Sequence, residues 1–451
     1  MKSRTSAAGL AVLTLGTLVY PLDSSVNVAF PYITEHFAQP MSATRLLVIS
    51  FVLTSASILL VCGRIGDLWG YRRVLQAGLA LSLAAFVIIG LAPSYGILLM
   101  GRIVQGVGAA LIASCGPALS MGLFGEDARG RAIGFYTMIV VLSMAAGPLL
   151  GGWLVENWGW SAVFWFRAPL AFLALIMSPQ LSAPDFREQS AFDYRGAGLM
   201  STTIILFFVS LNLAWGHGGL AAGVGLVALI SATLLIRQQR LSPAPIIDLA
   251  YFRALDFSLI NISSLLVNFT TFAIMLLVPF YLRRMSDFSV LEAGLALAAH
   301  PAGTALASYG VGRLLGRPSA SIIAPRLAYG GILMAAVGLW LIGGWGAGLG
   351  LAAISVNLLF TGLGLGLFQA SYMFIITGAI PPEHRGVAGS LATNTRTFGI
   401  MIAATSVFEA FRALEASNSF MTSFQTLFQS AAAVPACVIV MAGLIRLGHG
   451  R

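Results

Sequence analysis

Asp23 is the only charged residue between Ser6 and Thr34, in the stretch YPLDSSVNVAFP (20–31). That run is long enough to cross a bilayer, where a carboxylate near mid-depth costs about 2.5–3.5 kcal/mol. Three chemistries are open to it: reversible protonation, recognition of a cationic molecule, or a structural pair with another intramembrane charge. Helical spacing would put Tyr20 and Asn27 on its face. Arg102, in RIVQGVGAA (102–110) with Gln105 one turn on, is the natural counter-charge. Protonating Asp23 would weaken such a pair, and the helix carrying Arg102 would feel the change. Asn261, Ser264, Asn268 and Thr271 recur at helical spacing, and Asn357, Thr361 and Gln369 form a looser stripe. The expectation is that both stripes line a central cavity, with hydrogen bonding between helices as the alternative. His300 before Pro301 could exchange a proton or simply pack. Asn394 and Arg396 make one more intramembrane polar pair.

The elements that must position these residues are apolar helices. Charged residues are 9% of the chain and hydrophobic ones 58%, against about 25% charged in a soluble domain. Uncharged runs of spanning length recur throughout, so the fold class is an all-α polytopic membrane protein. Spans are expected at about 7–33, 46–63, 74–92, 95–124, 132–155, 161–182, 196–216, 218–236, 257–282, 293–312, 327–345, 347–380, 386–408 and 420–445, fourteen in all. The first run is too long for a signal peptide and leads directly into further spans, so it reads as a retained helix.

With the N-terminus inside, only Arg45, Arg283, Arg284 and Arg412 fall in outer loops; most other basic residues fall in cytoplasmic loops and tails. This bias sets both termini in the cytoplasm and explains the net charge of +9 without nucleic acid. Lys2 is the only lysine, which excludes a Walker A loop and a lysine-bound chromophore. Cys62, Cys115 and Cys437 are scattered and the histidines lack ligand spacing, so no metal or cofactor is expected. No nucleophile–base spacing supports an enzyme.

The chain repeats itself. GVGAALIASCGPALSMGLFGEDARG, from Gly106, aligns without gaps with GLGLGLFQASYMFIITGAIPPEHRG, from Gly362, at an offset of 256 residues. Glycines 106 and 108 match 362 and 364, and Arg129-Gly130 matches Arg385-Gly386. The offset exceeds six helices by one hairpin. The organisation expected is a six-helix bundle over 1–182, an inserted pair with linkers over 183–253, and a second six-helix bundle over 254–451.

GRIGDLWGYRR (63–73) sets Asp67 among Arg64, Arg72 and Arg73, with Gly63 and Gly70 allowing close backbone approach: a charged latch at the cytoplasmic ends of two spans. It resembles the loop 2–3 signature of the major facilitator superfamily. RIVQGVGAA resembles that superfamily's helix 4 motif, and AAGPLLGGWL (145–154) the helix 5 motif of antiporters. LDSSVNVAFP (22–31) and PIIDLAYFR (245–253) resemble the fourteen-helix drug:proton antiporter family.

The resemblance implies two six-helix bundles with an inserted hairpin, and proton-coupled export of small amphipathic or lipophilic compounds, cationic ones among them. It implies coupling roles for Asp23 and Arg102, a latch of Gly63, Asp67, Gly70, Arg72, Arg73, Arg129 and Arg131, and an antiport role for Gly147, Pro148, Gly151 and Gly152. It also implies a monomer in the bilayer, with a bacterial inner membrane as the expected home. A lipid or metabolite exporter on the same fold is the alternative. Two departures stand out: GVGRLLGRPS (310–319) lacks the acid of the loop signature, and FRAP (166–169) sets Arg167 where that family has asparagine. Arg167 is expected either to enter the cavity or to snorkel to the outer interface.

Overall fold

The computed structural model describes residues 7–124, 129–181, 193–242, 249–285, 288–315, 320–379 and 385–449. The expected apolar runs fold as helices, and no strand occurs among these residues. In chain order the helices are α1 (Ala7–Leu18), α2 (Val26–His36), α3 (Thr44–Trp69), α4 (Tyr71–Gly90), α5 (Tyr95–Phe124), α6 (Arg129–Trp158), α7 (Ala162–Trp165), α8 (Arg167–Met177), α9 (Tyr194–Leu213), α10 (Gly218–Leu241), α11 (Leu255–Met285), α12 (Val290–Leu314), α13 (Ala320–Ile342), α14 (Leu351–Ala379), α15 (Arg385–Glu415) and α16 (Phe420–His449). Thirteen stretches among the described residues are long and apolar enough to cross a membrane. This is an integral membrane protein.

The chain divides into two compact units, Met1–Pro245 and Ile246–Arg451. In the first, α5 packs against α3 and α4, α4 and α1 against α8, and α9 against α10 and α3. In the second, α14 packs against α12 and α13, α11 against α15, and α13 against α16. The sequence repeat reappears as packing. Gly106 faces the α3 backbone at Phe51 and Gly108 faces α4 at Gly78; Gly362 faces α12 at His300 and Gly364 faces α13 at Gly331. Any side chain at these positions would meet backbone, so the repeated glycines mark where equivalent helices cross closely.

Two features depart from plain helices. The first span is interrupted: Pro21–Ser25 forms a 3-10 turn between α1 and α2. Proline at its first position withholds a donor, and the Ser25 hydroxyl donates to Leu22 O at 2.8 Å, so local bonds replace the α ladder. Between α3 and α4 the chain turns at Gly70, whose φ of 90° suits a residue without Cβ.

Candidate functional site

Asp23 sits on the 3-10 turn rather than on a continuous α-helix, and its N–H donates to Tyr20 O at 3.1 Å. Tyr20 precedes the turn, its ring 6.4 Å from that of Phe51, and Asn27 lies partly buried in the first turn of α2. What gathers around Asp23 comes from α5 and α8. Its Oδ1 accepts from Arg102 Nη1 at 2.7 Å, Arg167 Nη1 at 2.8 Å and Gln105 Nε2 at 2.9 Å; its Oδ2 accepts from Arg102 Nη2 at 3.0 Å. The bidentate Arg102 pair fixes geometry as well as charge.

Both arginines are sealed, at 2% and 0% exposure, while Asp23 keeps 14%. Arg102 also donates from Nε to Leu47 O at 3.2 Å and from Nη1 to Gln105 Oε1 at 2.8 Å, with its guanidinium 4.3 Å from the Phe51 ring. Arg167 does not snorkel, as one reading of the sequence expected. Its Nε donates to Val163 O at 3.0 Å, and its guanidinium lies 4.6 Å from the Phe86 ring and 5.3 Å from that of Phe164. A cation within reach of a buried carboxylate and two aromatic faces gains more by turning inward than by reaching for the interface. The sequence signal for this role was the FRAP departure itself.

The glycines of α6 meet the same turn. A Cβ on Gly151 would stand 2.5 Å from Ser25 O and 3.0 Å from Ser25 Cα, and one on Gly147 would collide with Ser24 Oγ. The Ser24 hydroxyl donates to Met144 O at 3.1 Å. Pro148 lies inside α6 and Gly152 is buried. The antiporter-like motif is thus the surface on which the Asp23 turn rests.

The latch residues are only partly visible. Arg72 and Arg73 are exposed at the start of α4, and Gly63 has open space around it. The side chains of Asp67, Arg129 and Arg131 lie outside the described residues.

In the second unit the α11 stripe is buried and bonded. Asn261 Oδ1 accepts from Tyr372 Oη at 2.8 Å and Thr395 Oγ1 at 3.4 Å, while Asn261 Nδ2 donates to Phe257 O at 2.7 Å. Asn268 Oδ1 accepts from Gln369 Nε2 at 3.2 Å, Asn268 Nδ2 donates to Ser264 O at 2.8 Å, and Ser264 itself is buried. These bonds tie α11 to α14 and α15; Tyr372 and Thr395 were not singled out in the sequence. The Asn357 amide, in the orientation that satisfies its neighbours, donates to Gly338 O at 3.1 Å and accepts from Trp345 Nε1 at 3.0 Å. His300 is buried with Nε2 unbonded, Asn394 is buried, and Arg396 has a buried, unbonded Nε. A separate cavity of about 300 Å³, lined by Leu154, Trp158, Ser161, Ala162, Trp165 and Phe166, involves none of the site residues expected from the sequence.

The family model described as Major Facilitator Superfamily matches residues 12–404. The riboflavin transporter RibZ of Clostridioides difficile is 27% identical over 405 residues, 89% of this chain and 87% of its own. The multidrug resistance protein Stp of Mycobacterium tuberculosis is 29% identical over 406 residues, 89% of this chain and 75% of its own. A solved peptide transporter POT superposes with a TM-score of 0.71 at 15% identity, covering 97% of this chain and 94% of that one, a likeness of fold alone. With the family's model matched over most of its length, this chain belongs to the Major Facilitator Superfamily, transporters of small molecules.

Proposed function

We propose that this protein is a proton-coupled secondary exporter of small amphipathic or lipophilic compounds, an antiporter working by alternating access. The observation that carries the reading is a carboxylate on a helix break, held from two other helices at once. Protonating Asp23 would cancel the charge that both guanidiniums share, loosen α5 and α8 from the turn together, and so bias one packing of the unit over another. Gly147 and Gly151 support this, because the turn cannot shift without moving against α6. One proton driven by ~100 mV and about one pH unit supplies roughly 3.7 kcal/mol, enough to concentrate a neutral compound several-hundred-fold.

In this reading α16 completes fourteen spans and α9–α10 are a pair inserted between two six-helix bundles. Gly63, Asp67, Gly70, Arg72 and Arg73, with Arg129 and Arg131, form a cytoplasmic latch. The protein acts as a monomer in a bacterial inner membrane with both termini inside. The relative named for multidrug resistance supports efflux. The relative named a riboflavin transporter supports a second reading on the same fold, export of an endogenous metabolite or lipid.

The test uses the purified protein in liposomes loaded with a pH-sensitive dye. Each compound it carries should move protons in the opposite direction. Compounds that cross with no accompanying proton flux would remove the antiport reading.

A further inference from the structure

The Asp23 cluster holds more positive charge than negative. Asp23 is the sole carboxylate paired with Arg102 and Arg167 among the described residues, which leaves one formal positive charge. The imbalance falls on one residue. Arg102 has all three guanidinium nitrogens bonded, to Asp23, Gln105 and the Leu47 carbonyl. Arg167 is fully enclosed, and its Nη2 is buried without any hydrogen-bond partner. A guanidinium N–H left unmade in a low-dielectric surrounding is costly, and the flanking Phe86 and Phe164 rings offset only part of that. The nitrogen lacks an acceptor, and the cluster lacks a negative charge.

We propose that Arg167 determines specificity: the cargo presents a hydrogen-bond-accepting oxygen, anionic or carbonyl, to Arg167 Nη2, and lipophilic cations are excluded. The proposal rests on the transporter reading above and names its substrate class. A cation approaching Asp23 meets a carboxylate already shared by two guanidiniums, so the field of the whole cluster repels it. A cargo oxygen gains the one donor that the protein leaves unused. Arg167 is closed in this conformation, and the opening and closing of a transport cycle supplies the access.

The experiment uses full-length protein in lipid nanodiscs and three probes built on one fluorescent aromatic scaffold, bearing a carboxylate, its methyl ester or a trimethylammonium group. In the wild type the carboxylate and ester should bind about tenfold or more tighter than the ammonium compound, the size expected of one charge-assisted contact. Arg167→Gln should erase that preference and Arg167→Lys should keep it. A carboxylate tighter than its ester assigns the effect to charge, and equal affinities assign it to the hydrogen bond; both support the proposal. An ammonium probe that binds the wild type as tightly as the others overturns it, with no need for a variant to fold. An unchanged preference in a folded Arg167→Gln protein overturns it too. The same probes in proteoliposomes judge the parent reading separately. If none is carried, export falls while the binding order still decides the role of Arg167. If they are carried but the cation is preferred, export stands and the role of Arg167 falls.

Discussion

Gly151→Ala tests whether the Asp23 turn is held by close backbone contact with α6. The added Cβ would lie 2.5 Å from Ser25 O, 3.0 Å from Ser25 Cα and 3.1 Å from Ser25 C, all backbone atoms with no rotamer to relieve the clash. Restoring ordinary contact requires the turn or α6 to retreat by roughly 0.9 Å. A retreat of that size by the turn would carry the 2.7–3.0 Å bonds of Asp23 past hydrogen-bonding range. Overpacking costs about 1–3 kcal/mol, while replacing a helical glycine with alanine returns about 1 kcal/mol. The net expectation is a loss of up to about 2 kcal/mol, read as a fall of a few degrees in the thermal unfolding midpoint of the purified protein, together with slowed transport. Gly223→Ala on α10, where no heavy atom lies within 4 Å of the new Cβ, is the matched control and should be neutral or stabilising. If Gly151→Ala is as stable as Gly223→Ala and transports normally, the close-contact argument is wrong.

Other substitutions separate roles within the bundles. Either arginine's loss leaves Asp23 paired with the other, but Arg102→Gln should destabilise more than Arg167→Gln, because Arg102 donates four hydrogen bonds, to Leu47 O, Gln105 and twice to Asp23, and Arg167 only two. Equal unfolding midpoints for the two would contradict the hydrogen-bond accounting. Tyr372→Phe removes the bond to Asn261 and should cost about 0.6–1.7 kcal/mol, measurable in the same melts, and a loss of zero would mean the α11–α14 bond contributes nothing. His300→Leu removes a buried nitrogen with no partner, so its unfolding midpoint should hold or rise; a marked fall would reveal a bond that the structure lacks.

Much of this was legible in the residues. Runs of apolar sequence, interrupted by arginine-bearing loops, gave the helices because a bilayer leaves the backbone no other way to satisfy itself. Charge scarcity made Arg102 the natural counter-charge for Asp23, but only the fold brings the two side by side. The repeat at Gly106 and Gly362 was readable because close helix crossings tolerate only small residues. The 3-10 break was harder, since α-periodicity carries through it; the signal was Pro21 next to Asp23, Ser24 and Ser25, side chains that compete with the ladder. Arg167 stayed ambiguous because a long side chain can turn to the interface or the interior, and only tertiary packing decides. The α11 stripe showed a polar face without revealing that Tyr372 and Thr395 on other helices would bond to it.

The most direct test of the central claim is gradient-driven transport by Asp23→Asn beside the wild type, in proteoliposomes with an imposed proton gradient. Wild type should concentrate a carried compound only when the gradient is present, and Asp23→Asn should merely equilibrate it. Uphill transport by Asp23→Asn that still follows the gradient would contradict the account and leave Asp23 a structural link between the turn, α5 and α8.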